Sequence, residues 1–294
     1  MASAGDVWVG NGLGEIDRHQ PMGTNVVFPT LCTQVNAMVF QGKTLFLADA
    51  FGNIWKVNTD TLTSEFFPQS FISTTLAIHN GDLLSGSADG KLRRMRTSDG
   101  TVLSTMTIGS TVDAITVEGD TVYIGGHDTF IRRGSAMAGP FTIIGACGGQ
   151  VHSVTVNGNE LLAAALDGKV YRINKATGQY QGFWNLPAGL GTPQVAMSGG
   201  YLVAGGVDGL LRWLNPTTGA VQFSTAICSN IHALTVVSTC KADLDRSGDL
   251  NANDFATMLN VYAAGSPHAD IDGSGRLSAN DFMAFMNAYA VGCP

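Results

Sequence analysis

Short apolar runs of four to seven residues alternate with glycine-containing turns through most of the chain. The segment Val151–Trp184 contains four such runs, separated by the turn sequences NGN, LDG and ATG. Apolar runs of this length between turn residues are typical of β-strands. The same four-run pattern begins again at Val35, Thr74, Val112 and Thr192, so successive starts lie 38 to 41 residues apart. This repeat length, with four strands per unit, predicts the blades of a β-propeller.

The two ends of the repeat region are incomplete in complementary ways. Ile231–Val237 (IHALTVV) is a first strand with no blade after it, whereas Val7–Phe28 is a blade that lacks its first strand. Pairing the two makes a sixth blade from both chain ends, and it removes the edges that an open stack of sheets would carry. The sequence therefore predicts a mainly β fold in which residues 5–238 form a six-bladed β-propeller, closed by the N- and C-terminal strands.

Two features repeat from blade to blade. Asp-Gly pairs separate apolar runs at Asp89-Gly90, Asp167-Gly168 and Asp208-Gly209, and we expect them to supply the positive φ angles of tight hairpin turns. The third strands carry a column made up of Arg18, Lys56, Arg94, Arg133, Arg172 and Trp213. A feature present in nearly every blade favours an architectural role, with a surface for an anionic ligand as the alternative.

The sequence motif of the blades resembles that of a known type of propeller. ALDGKVY at Ala165–Tyr171, followed by Thr177-Gly178 and Trp184, is similar to the repeats of pyrroloquinoline-quinone-type propellers and, more loosely, of WD-repeat propellers. The resemblance covers roughly residues 7–237 and implies a fold rather than a function, because turn and strand residues carry it. The tryptophans that brace quinoprotein repeats are mostly absent here, so we carry over no quinone cofactor.

A different pattern follows Cys240, where twelve-residue segments rich in side-chain oxygens occur twice, 27 residues apart. In both copies oxygen-bearing side chains recur at alternate positions, and a glycine (Gly248 or Gly275) occupies position 6. Calcium takes six to eight oxygen ligands, and this spacing wraps them around one point. We predict two Ca²⁺ sites, in each of which position 7 contributes its backbone carbonyl and the other ligands are side chains. The residues are Asp243, Asp245, Ser247, Asp249, Asn251, Asp254, Asp270, Asp272, Ser274, Arg276, Ser278 and Asp281.

Each calcium loop is followed by one predicted amphipathic helix. Apolar residues recur at i, i+3, i+4 and i+7 as Phe255, Met258, Leu259 and Tyr262, and again as Phe282, Phe285, Met286 and Tyr289. A loop-then-helix unit that occurs twice, with aspartate at loop position 12, resembles the dockerin-type modules of secreted planctomycete-like proteins. The resemblance covers residues 240–294 and implies a small α-helical domain with two Ca²⁺ ions and a cohesin-like partner.

Dockerins contact cohesins largely through loop positions 10 and 11 and the helix beyond. Here those positions are Ala252, Asn253, Ala279 and Asn280, identical in the two copies. Cellulosomal dockerins commonly carry Ser or Thr there, so a cell-surface protein stays open as the alternative partner.

Charge and composition exclude several other classes of function. Charged residues make up 13% of the chain, which contains 37 glycines and has a net charge of −7; no basic patch is present, which excludes a nucleic-acid partner. No apolar run has membrane-spanning length, so we expect no membrane insertion. Ala2-Ser3-Ala4 resembles the remainder of a secretory cleavage site, and we predict a secreted, extracellular protein.

The five cysteines suggest two disulfides. Cys240 and Cys293 bracket the C-terminal segment, and a bridge between them would clamp its ends. Cys32 and Cys228 precede the innermost strands of neighbouring blades at the ring closure; we predict a second bridge there, with buried free thiols as the alternative. Cys147 lies across the ring and is expected to be unpaired.

Polar residues gather where the innermost strands begin, around the mouth of the central channel. The second positions of these strands read Asn36, Thr75, Asp113, His152, Pro193 and His232. Asp113, His152 and His232 are candidates for a transition-metal or ligand site, with a hydrated polar lining as the alternative.

These features favour a non-catalytic binding or scaffold propeller that is attached to a partner by calcium-dependent docking. The alternative is a carbohydrate-active enzyme of polysaccharide degradation, or a quinone-type dehydrogenase, with its site at the channel mouth. Dockerins often accompany polysaccharide-degrading enzymes, so a carbohydrate ligand also stays open. Against catalysis, no Ser-His-Asp set and no carboxylate pair outside the turns is evident, and no long loop interrupts a blade.

Overall fold

The computed structural model describes residues 7–19, 26–28, 34–59, 61, 63–198, 200–227, 230–236, 242, 244, 252–265, 269, 271 and 276–291. These residues form 24 β-strands and two α-helices. None of the helices in this part of the chain is long and apolar enough to cross a membrane.

The strands form six antiparallel four-stranded sheets, the blades of the propeller. Blade 1 contains β1 (Val7–Asn11), β2 (Ile16–His19), β3 (Val26–Phe28) and β24 (Ile231–Val236). Blade 2 contains β4 (Val35–Gln41), β5 (Thr44–Asp49), β6 (Ile54–Asn58) and β7 (Thr63–Phe67), and blade 3 contains β8 (Ser73–His79), β9 (Asp82–Ser87), β10 (Lys91–Arg96) and β11 (Val102–Thr107). Blade 4 contains β12 (Val112–Glu118), β13 (Thr121–Gly126), β14 (Phe130–Ser135) and β15 (Thr142–Ala146). Blade 5 contains β16 (Val151–Asn157), β17 (Glu160–Ala165), β18 (Lys169–Asn174) and β19 (Tyr180–Asn185), and blade 6 contains β20 (Gln194–Ser198), β21 (Tyr201–Gly205), β22 (Leu210–Leu214) and β23 (Val221–Ala226).

Both chain ends contribute to blade 1, as predicted. Its strand order is β24-β1-β2-β3, and β24 pairs antiparallel with β1 so that Val7 lies opposite Val236 and Val9 opposite Leu234. The innermost strands contact one another in ring order, from β24 through β4, β8, β12, β16 and β20 back to β24. The six-bladed propeller closed by its two ends is therefore confirmed.

The core lies between neighbouring blades and is built mainly by the second strands. Their apolar side chains are almost fully buried, and one cluster joins Leu84 of blade 3 to Val112 and Ile124 of blade 4. At Gly86, a β-carbon would lie 2.5 Å from Cγ1 of Val112. Glycine at this position therefore lets the next blade approach closely. The equivalent pairs are Gly10 with Val35, Gly125 with Val151, and Gly205 with Ile231.

The Asp-Gly turns differ in one respect from the prediction. Only the glycines have positive φ, 74° at Gly90 and 69° at Gly209. Two of the aspartates cap the turn instead, since the backbone N–H of Lys91 donates to Asp89 Oδ1 at 3.2 Å and that of Leu210 donates to Asp208 Oδ1 at 3.2 Å. An Asx-type hydrogen bond therefore stabilises the turn, where a second residue with positive φ was expected.

Two helices follow the calcium-loop sequences, as the periodicity predicted: α1 (Ala252–Ala263) and α2 (Ala279–Val291). Met258 and Phe285 are fully buried in a small core of their own, and the ring of Phe255 lies 5.7 Å from that of Phe282. Two other members of the predicted apolar stripes are not covered: Leu259 is 49% exposed and Met286 is 39% exposed. Each helix buries only a narrow stripe against its neighbour, and the i+4 position lies at the edge of that stripe.

Candidate functional site

A β-bulge begins the innermost strand in five of the six blades. The pairing register steps from Val112↔Gly126 to Ala114↔Gly125, which leaves Asp113 unpaired. Bulges of this kind redirect a side chain and are common at the rims of barrels. The five bulged residues, which surround the channel mouth, are Asn36, Thr74, Asp113, His152 and His232.

The predicted column of channel residues was wrong in blade 3. Thr75, the residue expected there, pairs with Gly86 inside the sheet, and the bulged residue is Thr74. The hydroxyl of Thr74 donates to the carbonyl of Val112 in the next blade. A one-residue bulge cannot be located from alternation alone, so the sequence pattern placed the channel residue of blade 3 one position too late.

The structure brings Asp113 and His152 together, along with a third residue that the sequence did not indicate. His127, in the turn between β13 and β14, has its Nδ1 2.6 Å from Oδ2 of Asp113. The rings of His127 and His152 lie 6.3 Å apart, with an interplanar angle of 62°. His232 is not part of this group, because it is the second residue of β24, three strands away from β12 around the ring, and lies beside Gly12.

Burial is the largest cause of the pKa shifts of Asp113, His152 and His232. The Asp113 side chain is only 10% exposed; burial raises the pKa of Asp113 to about 6, although the neighbouring His127 acts in the opposite direction. Burial, and then the charge of His127, lowers the pKa of His152. Burial also lowers the pKa of His232. The site therefore holds a poorly solvated carboxylate beside imidazoles.

Two polar atoms of this group lack hydrogen bonds. Asp113 Oδ2 and His152 Nε2 are both buried and have no hydrogen-bond partner among the described residues. The short contact between Asp113 Oδ2 and His127 Nδ1 lacks the alignment of a good hydrogen bond. Buried polar atoms without partners are uncommon and point to a bound water, ion or ligand.

The metal hypothesis gains no support from the geometry. Within the described ranges, no three His, Cys, Asp or Glu side chains are arranged to hold a metal ion. His232 lies on β24, three strands around the ring from β12, and a metal site formed by Asp113, His152 and His232 stays a prediction.

The turn that carries His127 departs from the blade pattern. Thr129 has a φ of 68°, where the other five blades have glycine at φ angles between 69° and 80°. A β-branched residue in this region is strained. In the sequence, HDT at His127–Thr129 stands where blade 3 has ADG at Ala88–Gly90. This loss of a glycine is the sequence signal that could have indicated His127.

Cys147 lies beside the same rim. It is half-buried and is a free thiol, as expected; burial, and then the charge of Asp167, raises its pKa to about 12. Tyr171 donates to Asp167 Oδ2 at 2.5 Å and accepts from the N–H of Gly148 at 2.7 Å. The four predicted disulfide residues, Cys32, Cys228, Cys240 and Cys293, lie outside the described residues.

The basic column of the third strands makes contacts within and between blades. Arg94 bonds Asp82 at 2.6 Å, and Arg172 bonds Glu160 at 2.5 Å, in each case across to the start of the second strand. Arg133 donates to the carbonyls of Lys175 and Ala176 in the next blade, at 2.9 and 3.0 Å. These contacts support the architectural role.

A family model described as outer membrane protein assembly factor BamB, of the PQQ type, matches residues 88–266. The chain belongs to this family. The matched residues include Asp113, His127 and His152 and continue into α1. The resemblance of the blades to pyrroloquinoline-quinone-type propellers is thereby supported.

Solved structures show the same fold at low sequence identity. A chain of the nidogen/laminin complex is similar with a TM-score of 0.69 and 11% identity, over 79% of this chain and 98% of that one. The computationally designed Ika8 protein is similar with a TM-score of 0.52 and 19% identity, over 76% of this chain and 74% of that one. At such identities the likeness concerns the fold alone. No curated protein sequence matches the chain.

In this BamB-type chain the predicted calcium ligands are described only in part. Asp254 and Asp281 lie in the first turns of α1 and α2, and both are fully buried. Asp281 Oδ2 accepts the backbone N–H of Ser278 at 2.7 Å, and Arg276 is exposed. The other predicted ligands, Asp243, Asp245, Ser247, Asp249, Asn251, Asp270, Asp272 and Ser274, lie outside the described residues.

The predicted partner-binding positions lie where the two helices begin. Ala252, Ala279 and Asn280 are exposed, and Asn253 is in α1. Ala252, Ala279 and Asn280 are therefore accessible, and the role of all four positions in binding stays a prediction.

Proposed function

We propose that this chain is a secreted, non-catalytic binding or scaffold propeller, attached to a cohesin-like or cell-surface protein by a calcium-dependent C-terminal docking module. The observation that carries the proposal is the pair of fully buried carboxylates, Asp254 and Asp281, at the starts of two equivalent helices. A carboxylate is rarely buried completely unless it is paired or bound to a cation. Both carboxylates stand at position 12 of an oxygen-rich loop sequence.

The residues fit calcium by their chemistry. Carboxylate, hydroxyl and amide oxygens are the hard ligands that Ca²⁺ prefers. One ion would be held by the residues of the first loop, ending in Asp254, and a second by those of the second loop, ending in Asp281. Bound calcium offsets the repulsion among the seven acidic residues that follow Cys240. The residues themselves orient the loop end, since Ser278 donates its N–H to Asp281.

The two helices also offer a duplicated contact surface. Leu259 and Met286 occupy equivalent positions on α1 and α2 and are 49% and 39% exposed. They lie seven residues beyond Ala252 and Ala279 respectively, which are exposed at the helix starts. An exposed apolar residue beside small side chains is suited to a protein partner. The duplication supports docking in either of two orientations.

The propeller supports a binding role more than a catalytic one. Its blades repeat regularly, and its basic third-strand column is engaged in architecture. The matching family is described as an assembly factor for outer membrane proteins, a description that concerns contacts between proteins and a location outside the cytoplasm. Both points favour an extracytoplasmic interaction protein.

Calcium titration of the full chain by isothermal titration calorimetry tests the metal sites. We expect two ions per chain, and one ion for Asp254→Asn or Asp281→Asn, because each substitution removes one anionic ligand. Glu65→Gln is the matched control: it removes one negative charge from an exposed propeller residue and should leave two ions bound. Absence of calcium binding by the unmodified chain would contradict the proposal.

Docking is tested separately, with immobilised cohesin domains and a chelator. Retention of the chain should require calcium and should weaken at least tenfold when Leu259 and Met286 are both replaced by Asp. Retention that persists in excess chelator would show that docking does not use the calcium module.

A further inference from the structure

Asp113, His127 and His152 lie at the junction of blades 4 and 5, with two buried polar atoms left without hydrogen bonds. These atoms, Asp113 Oδ2 and His152 Nε2, come from two adjacent bulges, which aim both side chains away from their own sheets. Asp113 Oδ2 has only its contact with His127, and His152 Nε2 has no hydrogen-bond partner among the described residues. Two such atoms at one blade junction point to a place that is completed by another molecule.

The site is open on one side and rigid on the other. His127 is 46% exposed, whereas Asp113 is 90% covered. The turn of His127 is held at both ends, because Thr129 donates to the carbonyl of Gly126 at 3.2 Å and accepts from the N–H of Cys147 at 2.9 Å. A strained φ of 68° at Thr129 is maintained in this turn. Strain of this kind is concentrated at ligand sites.

The charges select against ionic ligands. A carboxylate or phosphate would face the buried carboxylate of Asp113. A cation would compete with His127, whose Nδ1 is already 2.6 Å from that carboxylate. An anion would place two like charges together in a poorly solvated place, and a cation would have to displace His127 from its existing contact. A neutral polar group avoids both penalties.

The hydrogen-bonding capacity of Asp113 Oδ2 and His152 Nε2 narrows the class of ligand further. Asp113 Oδ2 accepts when the carboxyl is ionised, and His152 Nε2 either donates or accepts according to its tautomer. A hydroxyl both donates and accepts, so it satisfies either nitrogen and also the carboxylate. A molecule with several hydroxyls can supply a partner for each of the two atoms.

We propose that the Asp113–His127–His152 group is a binding site for a neutral carbohydrate, held through two of its hydroxyls. Asp113 accepts from one hydroxyl and His152 pairs with the other, while His127 forms the exposed wall of the site. His232, at the equivalent bulge of blade 1, takes no part. The site is independent of the docking module, and failure of one proposal leaves the other intact.

The experiment is NMR of the full chain with isotope-labelled histidine, titrated with the methyl glycosides of glucose, mannose and galactose. We expect at least one glycoside to shift the ring signals of His127 and His152 saturably, with the His232 signal unchanged. Tetrahydropyran, which has the sugar ring without hydroxyls, and ethanol, which has one hydroxyl, serve as ligand controls. Equal shifts with either control, or no shift with any glycoside, would overturn the proposal.

Two variants and a matched control link the binding to the named atoms. Asp113→Asn should weaken binding about tenfold or more, as expected for the loss of a charge-assisted hydrogen bond. His152→Leu provides a second route if Asp113→Asn fails to fold, and it should weaken binding similarly. His232→Leu should bind as the unmodified chain does. The assignment would be overturned by normal binding in a folded Asp113→Asn or His152→Leu variant, or by loss of binding in His232→Leu. It would also be overturned if Zn²⁺ alone shifted the ring signals of His127 and His152 and no glycoside did.

Discussion

Gly10 and Val35 lie so close together that Gly10 has no room for a side chain. A β-carbon at Gly10 would lie 2.5 Å from Cγ1 and 2.6 Å from Cβ of Val35, although nonbonded carbons normally stay about 3.5–4.0 Å apart. Gly10 belongs to β1 and Val35 begins β4, so this contact joins the closing blade to its neighbour. Val35 is fully buried, and its Cβ cannot rotate away.

Replacing Gly10 by Ala should therefore lower the free energy of unfolding by about 2–3 kcal/mol, at the upper end for an overpacked core. Gly205→Ala is the matched control at the equivalent position of blade 6. There the nearest atom is the tip of Ile231, Cδ1 at 2.8 Å, and its Cβ is 3.4 Å away, so rotation relieves the contact and the loss should be about 1 kcal/mol. Urea denaturation measures both, and equal losses would show that Val35 is not the obstacle.

Thr129 occupies a backbone conformation that glycine adopts in the other five blades. Thr129→Gly should raise the free energy of unfolding by about 1 kcal/mol, because relief of strain exceeds the added entropy of glycine in the unfolded chain. Gly168→Thr is the reciprocal change at the equivalent position of blade 5, where φ is 77° and no atom lies within 4 Å of a β-carbon. It should lose about 1–2 kcal/mol from backbone strain alone. Thermal and urea unfolding would contradict this account if Thr129→Gly proved less stable than the unmodified chain.

Asp89 links stability to pH through Arg93. The hydrogen bonds from the Arg93 guanidinium, with its charge, hold the pKa of Asp89 below the ordinary value of 3.8. The folded state therefore binds this proton less readily than the unfolded state does, so the contribution is complete above about pH 4 and is lost as the pH falls through the folded pKa. Asp89→Asn should lose at most about 1 kcal/mol at neutral pH, because the pair is partly exposed, and should match the unmodified chain in strong acid.

Arg93→Gln provides the control for the Asp89 prediction. It should remove the same pH dependence, and the double variant should show no further loss of that dependence. Additive effects of the two substitutions on the acid limb of the stability profile would show that Asp89 and Arg93 act separately.

Cys147 should be unreactive in the folded chain. Because burial raises its pKa to about 12, only roughly one thiol in 10⁴ is ionised at pH 8, and the thiolate is the reactive form. Iodoacetamide should leave Cys147 unlabelled in the folded protein and label it fully in urea, as read by peptide mass spectrometry. Labelling of folded Cys147 at the rate of an ordinary exposed cysteine would contradict the buried position.

The blade architecture was accessible from the sequence because each blade repeats the same strand and turn signals. The closing pair of β24 and β1 could be predicted since Ile231–Val237 and Val7–Phe28 are complementary fragments of that pattern. The two C-terminal helices were predicted by their apolar spacing. The exposure of Leu259 and Met286 was not, because periodicity shows a stripe but not how much of it a neighbour covers.

The candidate site was predicted only in part, for a physical reason. Asp113 and His152 belong to a column that repeats, so the sequence placed them on one rim. His127 comes from a turn, and its contact with Asp113 depends on a bulge and on the left-handed Thr129. Three-dimensional proximity across a sheet is set by such local irregularities, which carry little signal in the alternation of residues.

The position of β24 has a mechanical consequence. β24 is the innermost strand of blade 1 and, among the described residues, the last strand before the C-terminal helices. Any force that a tethered partner exerts through those helices therefore reaches the ring first at β24. That force would act on the hydrogen bonds between β24 and β1, whose antiparallel pairing runs from Val236↔Val7 to Ile231↔Asn11. A tether pulled hard enough would open the ring at that pairing before it disturbed the other five blades.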